Sequence, residues 1–478
     1  MLSFTAFRAR NRAVSSLRSI ATSAKPYRTT RSFLRHYAST TNAPPPVTKV
    51  EKLILDSIKA TGPVSFATYM QTCLAHPTHG YYMDPEHPVF GSRGDFITSP
   101  EISQVFGELV AIWFLAQWQS AGSPSAIRLV ELGPGRGTLM ADVVRVITNL
   151  TAKLKPGLLK EIHLVETSKA LREIQIEKLA PFRGQTGCAV EWHDDLDYIP
   201  SSPAFTMVVA HEFFDALPFY LIQKINDKEW REVRVASALT PLKDPRTEST
   251  EPLSTTETVP QGEHPDPESV YPRFRRALSP DPTAASIGTA VLSPRYENLA
   301  PGSLLEVSPT SYYKARQLAT LLGSSKPKPA IENTQTPESN VPPNGGGCGL
   351  IIDYGDDKAF GNSFRAFKDH KIVDVFERPG QCDLTTNVDF ALLREAMGDL
   401  VSSHGPLTQR EFLIRMGISF RVSNLTKTQS EERKKAIVDA AERLMDPTGM
   451  GTEYKVLGFT SFRGERGEDG KLPPVYPF

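Results

Sequence analysis

The stretch Leu129–Thr138, LVELGPGRGT, decides the fold. An apolar run ends in Glu131 and opens into Gly133, Gly135 and Gly137 at alternate positions. This pattern predicts a buried strand feeding a tight turn at a helix start. Glycine is needed where the backbone takes a positive φ or touches a ligand with no Cβ between them. The spacing is E-x-G-x-G-x-G, and Thr138 stands where a dinucleotide fingerprint, G-x-G-x-x-G, places its last glycine. That disfavours a nicotinamide dehydrogenase. Taken alone, the loop also fits an ordinary strand–helix turn.

Working outward, residues 161–166 (EIHLVE) form a second apolar strand tipped by Glu166. A carboxylate at that place can accept ribose hydroxyls. A third strand at Ala189–Trp192 leads into Asp194, where such folds meet an adenine amino group; a plain turn aspartate reads the same. The fourth strand, Phe205–Ala210, runs into HEFFDALP (His211–Pro218). Ligands of open α/β sheets sit beyond the carboxyl ends of the strands. Glu212 and Asp215, with Phe213 and Phe214 between them, suit a cation there. A helix cap is the competing reading of the same acids.

Six blocks then occur in order: GDFITSPEISQVFGE (94–108), LVELGPGRGTLM, HLVETS, HEFFDALP, IIDYG (351–355) and PGQCDLTTNVDF (379–390). Together they resemble the MidA-like family of mitochondrial protein arginine methyltransferases that assist assembly of respiratory complex I. The resemblance spans roughly residues 50–235 and 300–463. It implies an α/β fold of the class I methyltransferase type, Rossmann-like with a seven-stranded sheet, and S-adenosyl-L-methionine as cofactor. It implies symmetric dimethylation of an arginine on a complex I core subunit of the iron–sulfur type. Cofactor binding would fall to Glu131, Gly133, Gly135, Gly137, Glu166 and Asp194, with Asp95, Thr98 and Ser99 as a polar lid. Glu212 and Asp215 would polarise the guanidinium, His211 would relay the released proton, and Asp383 and Asp389 would hold the substrate segment. Two positions depart from the family pattern: His211 replaces Asn, and Asn387 replaces His. Two other readings stay open, a non-catalytic assembly chaperone and a methyltransferase with a different substrate.

Residues 1–37 carry seven arginines, one lysine and no acid, the composition of a mitochondrial transit peptide. Cleavage is expected after Tyr37, and the expected compartment is the matrix. The whole chain has no net charge; loss of those eight cations leaves a mature chain near −8. That excludes a basic nucleic-acid binder. Four scattered cysteines form no C-x-x-C pair, and His76, His79 and His87 lack a partner at ligand spacing, so no metal is expected. The longest apolar helix, Ile102–Trp118, is too short and too polar to span a bilayer.

The expected organisation has a lid region at 50–120 and a methyltransferase core at 121–238, continued at 301–323 and completed at 348–463 with a helical elaboration on the substrate side. A tail covers 464–478. Residues 239–300 and 324–347 are rich in Pro, Ser, Thr and Glu, and both are expected to be disordered insertions. A last strand, Tyr454–Phe459, is expected to be the antiparallel seventh strand.

Overall fold

The structure, a computed structural model, describes residues 44–83, 98–152, 155–238, 271–323, 345–461 and 475–478. The presequence, Asp95, His87 and most of the two insertions lie outside the described residues.

Seven strands lie side by side in the central sheet, numbered here β1 (Ile127–Leu132), β2 (Leu159–Val165), β3 (Ala189–His193), β4 (Phe205–His211), β5 (Gly347–Asp356), β6 (Ser402–Thr408) and β7 (Tyr454–Thr460), and a short eighth, Val388–Asp389, pairs in parallel with the end of β5. Their spatial order is β3-β2-β1-β4-β5-β7-β6. β1 to β5 run parallel, and β7 is antiparallel to β5. The expected antiparallel last strand is therefore present. A parallel sheet is buried on both faces, so its strands are mainly apolar. All of β1 and all of β4 are buried.

One face packs against α4 (Gln104–Ser120), which follows the short helix α3 (Ser99–Ile102), and against α5 (Thr138–Thr151) and the C-terminal helices, around Trp113, Phe114 and Ile147. The other face packs against helices Pro309–Leu322 and Phe390–Met397. The C-terminal excursion is helical, as expected, with helices at Gln409–Arg415, Ile418–Thr426 and Glu431–Leu444.

A second sheet is wholly antiparallel. Strands Val64–Ser65, Glu229–Ser237, Tyr220–Asn226 and Leu304–Val307 lie in that order, and Phe274–Leu278 also pairs with Glu229–Ser237. Helices α1 (Lys49–Thr61) and α2 (Phe66–Ala75) pack on it around Phe66, Tyr69 and Phe376. Two expectations are corrected here. The strand near 303–308 belongs to this sheet and does not continue the central one.

The first insertion is also shorter than its composition suggests. Residues 271–300 carry the strand Phe274–Leu278, helix Ala284–Ala290 and a short 3-10 turn at Pro294–Asn298. A few anchors order them. Phe274 and Tyr296 are buried, and the buried Arg273 guanidinium meets the buried Glu51 carboxylate at 3.1 Å. Composition misses this because a handful of well-placed groups offset the ordering entropy of a polar segment. Likewise, residue 347 already belongs to β5.

Candidate active site

The carboxyl ends of β1, β2 and β4 open on one cavity of about 410 Å³. Gly133, Gly135, Glu166 and Asp194 line one part of it, and Glu212, Asp215 and Asp383 line another. A smaller adjoining cavity of about 50 Å³ shares Gly133, Gly135 and Glu212 and adds Glu131, Thr98 and His211. Most of the residues singled out in the sequence therefore converge.

The glycine loop explains its own sequence. Gly133, Gly135 and Gly137 all have positive φ, at 60°, 51° and 75°. A Cβ on Gly133 would sit 3.1 Å from the Phe213 ring. Gly137 is the N-cap of α5 and does not line the cavity. Gln175 fastens the loop: its Nε2 donates to the Gly135 carbonyl at 2.7 Å and lies 3.3 Å from Glu166 Oε2. Glu166 Oε1 accepts from the Ser168 amide at 2.8 Å. Asp194 is largely exposed and paired with Arg172 at 2.5 Å. Glu131 is buried, and its Oε2 has no partner among the described residues. Burial pushes its carboxyl up to about 8.

The second acidic group surrounds the turn after β4. Asp353, on β5, organises this turn. Its Oδ2 accepts from the amides of Phe213, Phe214 and Asp215 at 2.9–3.3 Å, and its Oδ1 from that of Tyr354 at 2.9 Å. Glu212 sits in the left-handed region at φ 51°, a strained place for a residue with a side chain. Such outliers gather at functional sites. Its Oε1 accepts from the Tyr454 hydroxyl at 2.6 Å, and Tyr454 meets the Tyr354 hydroxyl at 2.7 Å. One hydroxyl has one proton, so Tyr354 donates to Tyr454. Burial, aided by Asp215, Asp383 and Glu101, pushes Glu212 up to about 8, against the Tyr454 bond. Asp215 Oδ2 accepts from Thr385 at 2.7 Å, while the buried Oδ1 has no partner among the described residues. Asp383 accepts from Tyr82 at 2.7 Å.

Three expected roles do not survive this geometry. Ser99 is fully buried and donates to Gln409 at 3.1 Å, so it is a packing group and not part of a lid. Asp389 caps helix Phe390–Met397 through the Leu392 amide and pairs with Arg295 at 2.9 Å, away from the cavity. His211 lies against Tyr454 and Phe106, and burial pushes it down to about 3. A base that weak stays neutral near pH 7 and is a poor proton acceptor. Sequence reading missed Tyr82, Tyr354, Tyr454, Thr385 and Gln175, because tyrosine, threonine and glutamine mark no motif until distant segments meet.

Comparisons with known proteins identify the family. A family model for S-adenosyl-L-methionine-dependent methyltransferases matches residues 109–407. The human protein arginine methyltransferase NDUFAF7, mitochondrial, is 34% identical over 437 residues, covering 87% of this chain and 85% of the relative. The Drosophila melanogaster homolog is 36% identical over 425 residues, covering 85% and 83%.

The chain belongs to the NDUFAF7 methyltransferase family.

A crystal structure from Burkholderia thailandensis bound to S-adenosyl-homocysteine has a TM-score of 0.62 at 22% identity, over 90% of this chain and 97% of that one, and supports the fold. The chain is thus an S-adenosyl-L-methionine-dependent methyltransferase of class I fold. NDUFAF7 relatives are named mitochondrial, which places this chain in the mitochondrion as well. Its residues fit the cofactor: a Cβ at Gly133 would crowd the Phe213 ring at 3.1 Å, and Glu131 holds a buried acceptor without a partner among the described residues. Among the described residues, no helix is long and apolar enough to cross a membrane.

Proposed function

We propose that the chain methylates arginine in a protein, placing two methyl groups symmetrically on a complex I core subunit of the iron–sulfur type, in the mitochondrial matrix. One observation carries this reading: three carboxylates, Glu212, Asp215 and Asp383, share a cavity with the glycine loop. Tyr82, Phe213 and Tyr354 line the same space. Carboxylates and aromatic faces together suit a planar guanidinium. The NDUFAF7 relatives are named protein arginine methyltransferases, which supports a protein arginine as the acceptor.

The cofactor would be held by the glycine loop, Glu131, Glu166 and Asp194, and it supplies an electrophilic methyl group on a positive sulfonium. The protein's task is then to position and to adjust charge. A guanidinium is a weak nucleophile because its lone pairs are delocalised. The bound cation favours the ionised form of Glu212 and Asp215, and these carboxylates hydrogen-bond two of its nitrogens and concentrate electron density on the third. Tyr454 orients Glu212, and Thr385 orients Asp215. The nitrogen that gains a methyl loses a proton. A carboxylate of this group accepts it, in place of the low-affinity His211 ring.

The test is mass spectrometry of complex I subunits from a deletion strain complemented with wild type or Glu212→Gln. The expected result is a symmetric dimethylarginine that disappears on deletion and returns only with wild type. An unchanged set of methylarginines after deletion would overturn the reading. Full assembly restored by Glu212→Gln without the mark would instead favour a chaperone.

A further inference from the structure

We propose that His163, Glu191 and His193 form a binding site for a divalent transition-metal ion of the zinc class, separate from the methyl-transfer cavity. His163 lies on β2 opposite Glu191 of β3, and His193 is two residues further along β3. A strand repeats its face every two residues, so the pairing brings the three side chains together on one side of the sheet. His163 Nδ1 is 2.9 Å from His193 Nε2 and 3.8 Å from Glu191 Oε2, and the last two atoms are 3.9 Å apart. A triangle with these sides has its equidistant point about 2.1 Å from each corner, close to a Zn–N or Zn–O bond length. The site needs little rearrangement to accept an ion.

The chemistry of the donors agrees. Two imidazoles and a carboxylate are a usual zinc ligand set, with a fourth position for water. Burial lowers the affinity of both rings for protons, so both are neutral and able to coordinate near pH 7. Glu191 is half-exposed and gives the ion a path from solvent. His163 Nε2, the nitrogen pointing away from the triangle, meets Glu161 Oε2 at 3.3 Å. A carboxylate behind a histidine is how metal sites fix the ring and its tautomer. Ser202 holds the other Glu161 oxygen at 3.1 Å. Arg128 and Arg172 are the opposing charges. Arg128 is committed to Thr206 and the Pro200 carbonyl, and Arg172 to Asp194 and the Glu166 carbonyl. Glu161, Glu191 and Asp194 outnumber them.

The position gives the ion a purpose. β3 is the outer strand of its edge, and the Glu166 amide donates to the His193 carbonyl at 3.0 Å. An ion here would pin β3 to β2 directly behind Glu166 and Asp194. None of its three ligands lines the methyl-transfer cavity.

The test uses the full mature chain, stripped with a chelator and titrated with Zn²⁺ by calorimetry and with Co²⁺ by visible spectroscopy. One equivalent should bind, and Co²⁺ should give the intense bands of a tetrahedral site. Glu191→Gln and His193→Gln should each weaken binding by about 100-fold or more, since loss of an outer-shell partner alone costs 10- to 100-fold. Cofactor binding by the metal-free variants, equal to metal-free wild type, will show that they are folded. Absence of binding to wild type, or equal binding to all three proteins, would overturn the site and leave only a histidine pair.

Discussion

Glu212 combines a strained backbone, a raised carboxyl and a tyrosine donor in one residue. Glu212→Gln keeps its size and removes its charge. Methyl transfer should fall by roughly 10²-fold or more with cofactor affinity nearly unchanged. Asp215→Asn should behave alike. If turnover per folded molecule is instead preserved while stability drops by about 1 kcal/mol, the residue is a cap. Glu131 makes a second prediction at this scale. Its folded carboxyl titrates near 8, above the ordinary 4.5, so the folded chain keeps a proton that the unfolded chain has lost. The resulting stability is complete below pH 4.5 and is lost as pH rises towards 8. The slope for one proton is about 1.4 kcal/mol per pH unit. Melting temperatures of the cofactor-free protein should fall across that window, and Glu131→Gln should flatten the fall. An unchanged slope in the variant would mean that another group titrates. The acids themselves were legible because they end apolar strands. The protonation of His211 was not, because burial by Phe106 and Tyr454 is a property of the fold.

At the scale of elements, the β1–loop–α5 unit could be read directly, since its strand, turn and helix are consecutive in the chain. The turn after β4 could not. Its shape depends on Asp353, about 140 residues further on, whose carboxylate collects four backbone amides. The segment 271–300 was misread for a related reason: the partner of Arg273 is Glu51, in the first helix. Breaking a buried ion pair strands the remaining charge, so Arg273→Ala should cost about 3–5 kcal/mol. A deletion confined to 242–268 should leave the melting temperature within a few degrees, by the polar composition of that stretch. Extending it to 298 removes Arg273, Phe274 and Tyr296 and should give insoluble protein. Equal stability of the two deletions, measured by thermal melting of the purified proteins, would show that this strand and its ion pair contribute little.

At the scale of the whole molecule, the central sheet and segments outside it meet at one cavity and divide its work. The central sheet supplies Gly133, Gly135, Glu166 and Asp194, and the surrounding segments supply Tyr82, Asp383 and Thr385. Cofactor binding and substrate binding should therefore be separable by mutation. Gly135→Val places a β-branched residue at φ 51°, where it is strained, on the wall of the cavity proposed to hold the cofactor. Cofactor binding by calorimetry should be lost. Tyr82→Phe removes only the hydroxyl that donates to Asp383. One hydrogen bond is worth about 1 kcal/mol, so KM for the protein substrate should rise roughly fivefold while cofactor affinity stays at the wild-type value. The two measurements on each variant form a cross. If Tyr82→Phe weakens the cofactor as much as the substrate, the outer segments close over both ligands together, and this division of labour fails.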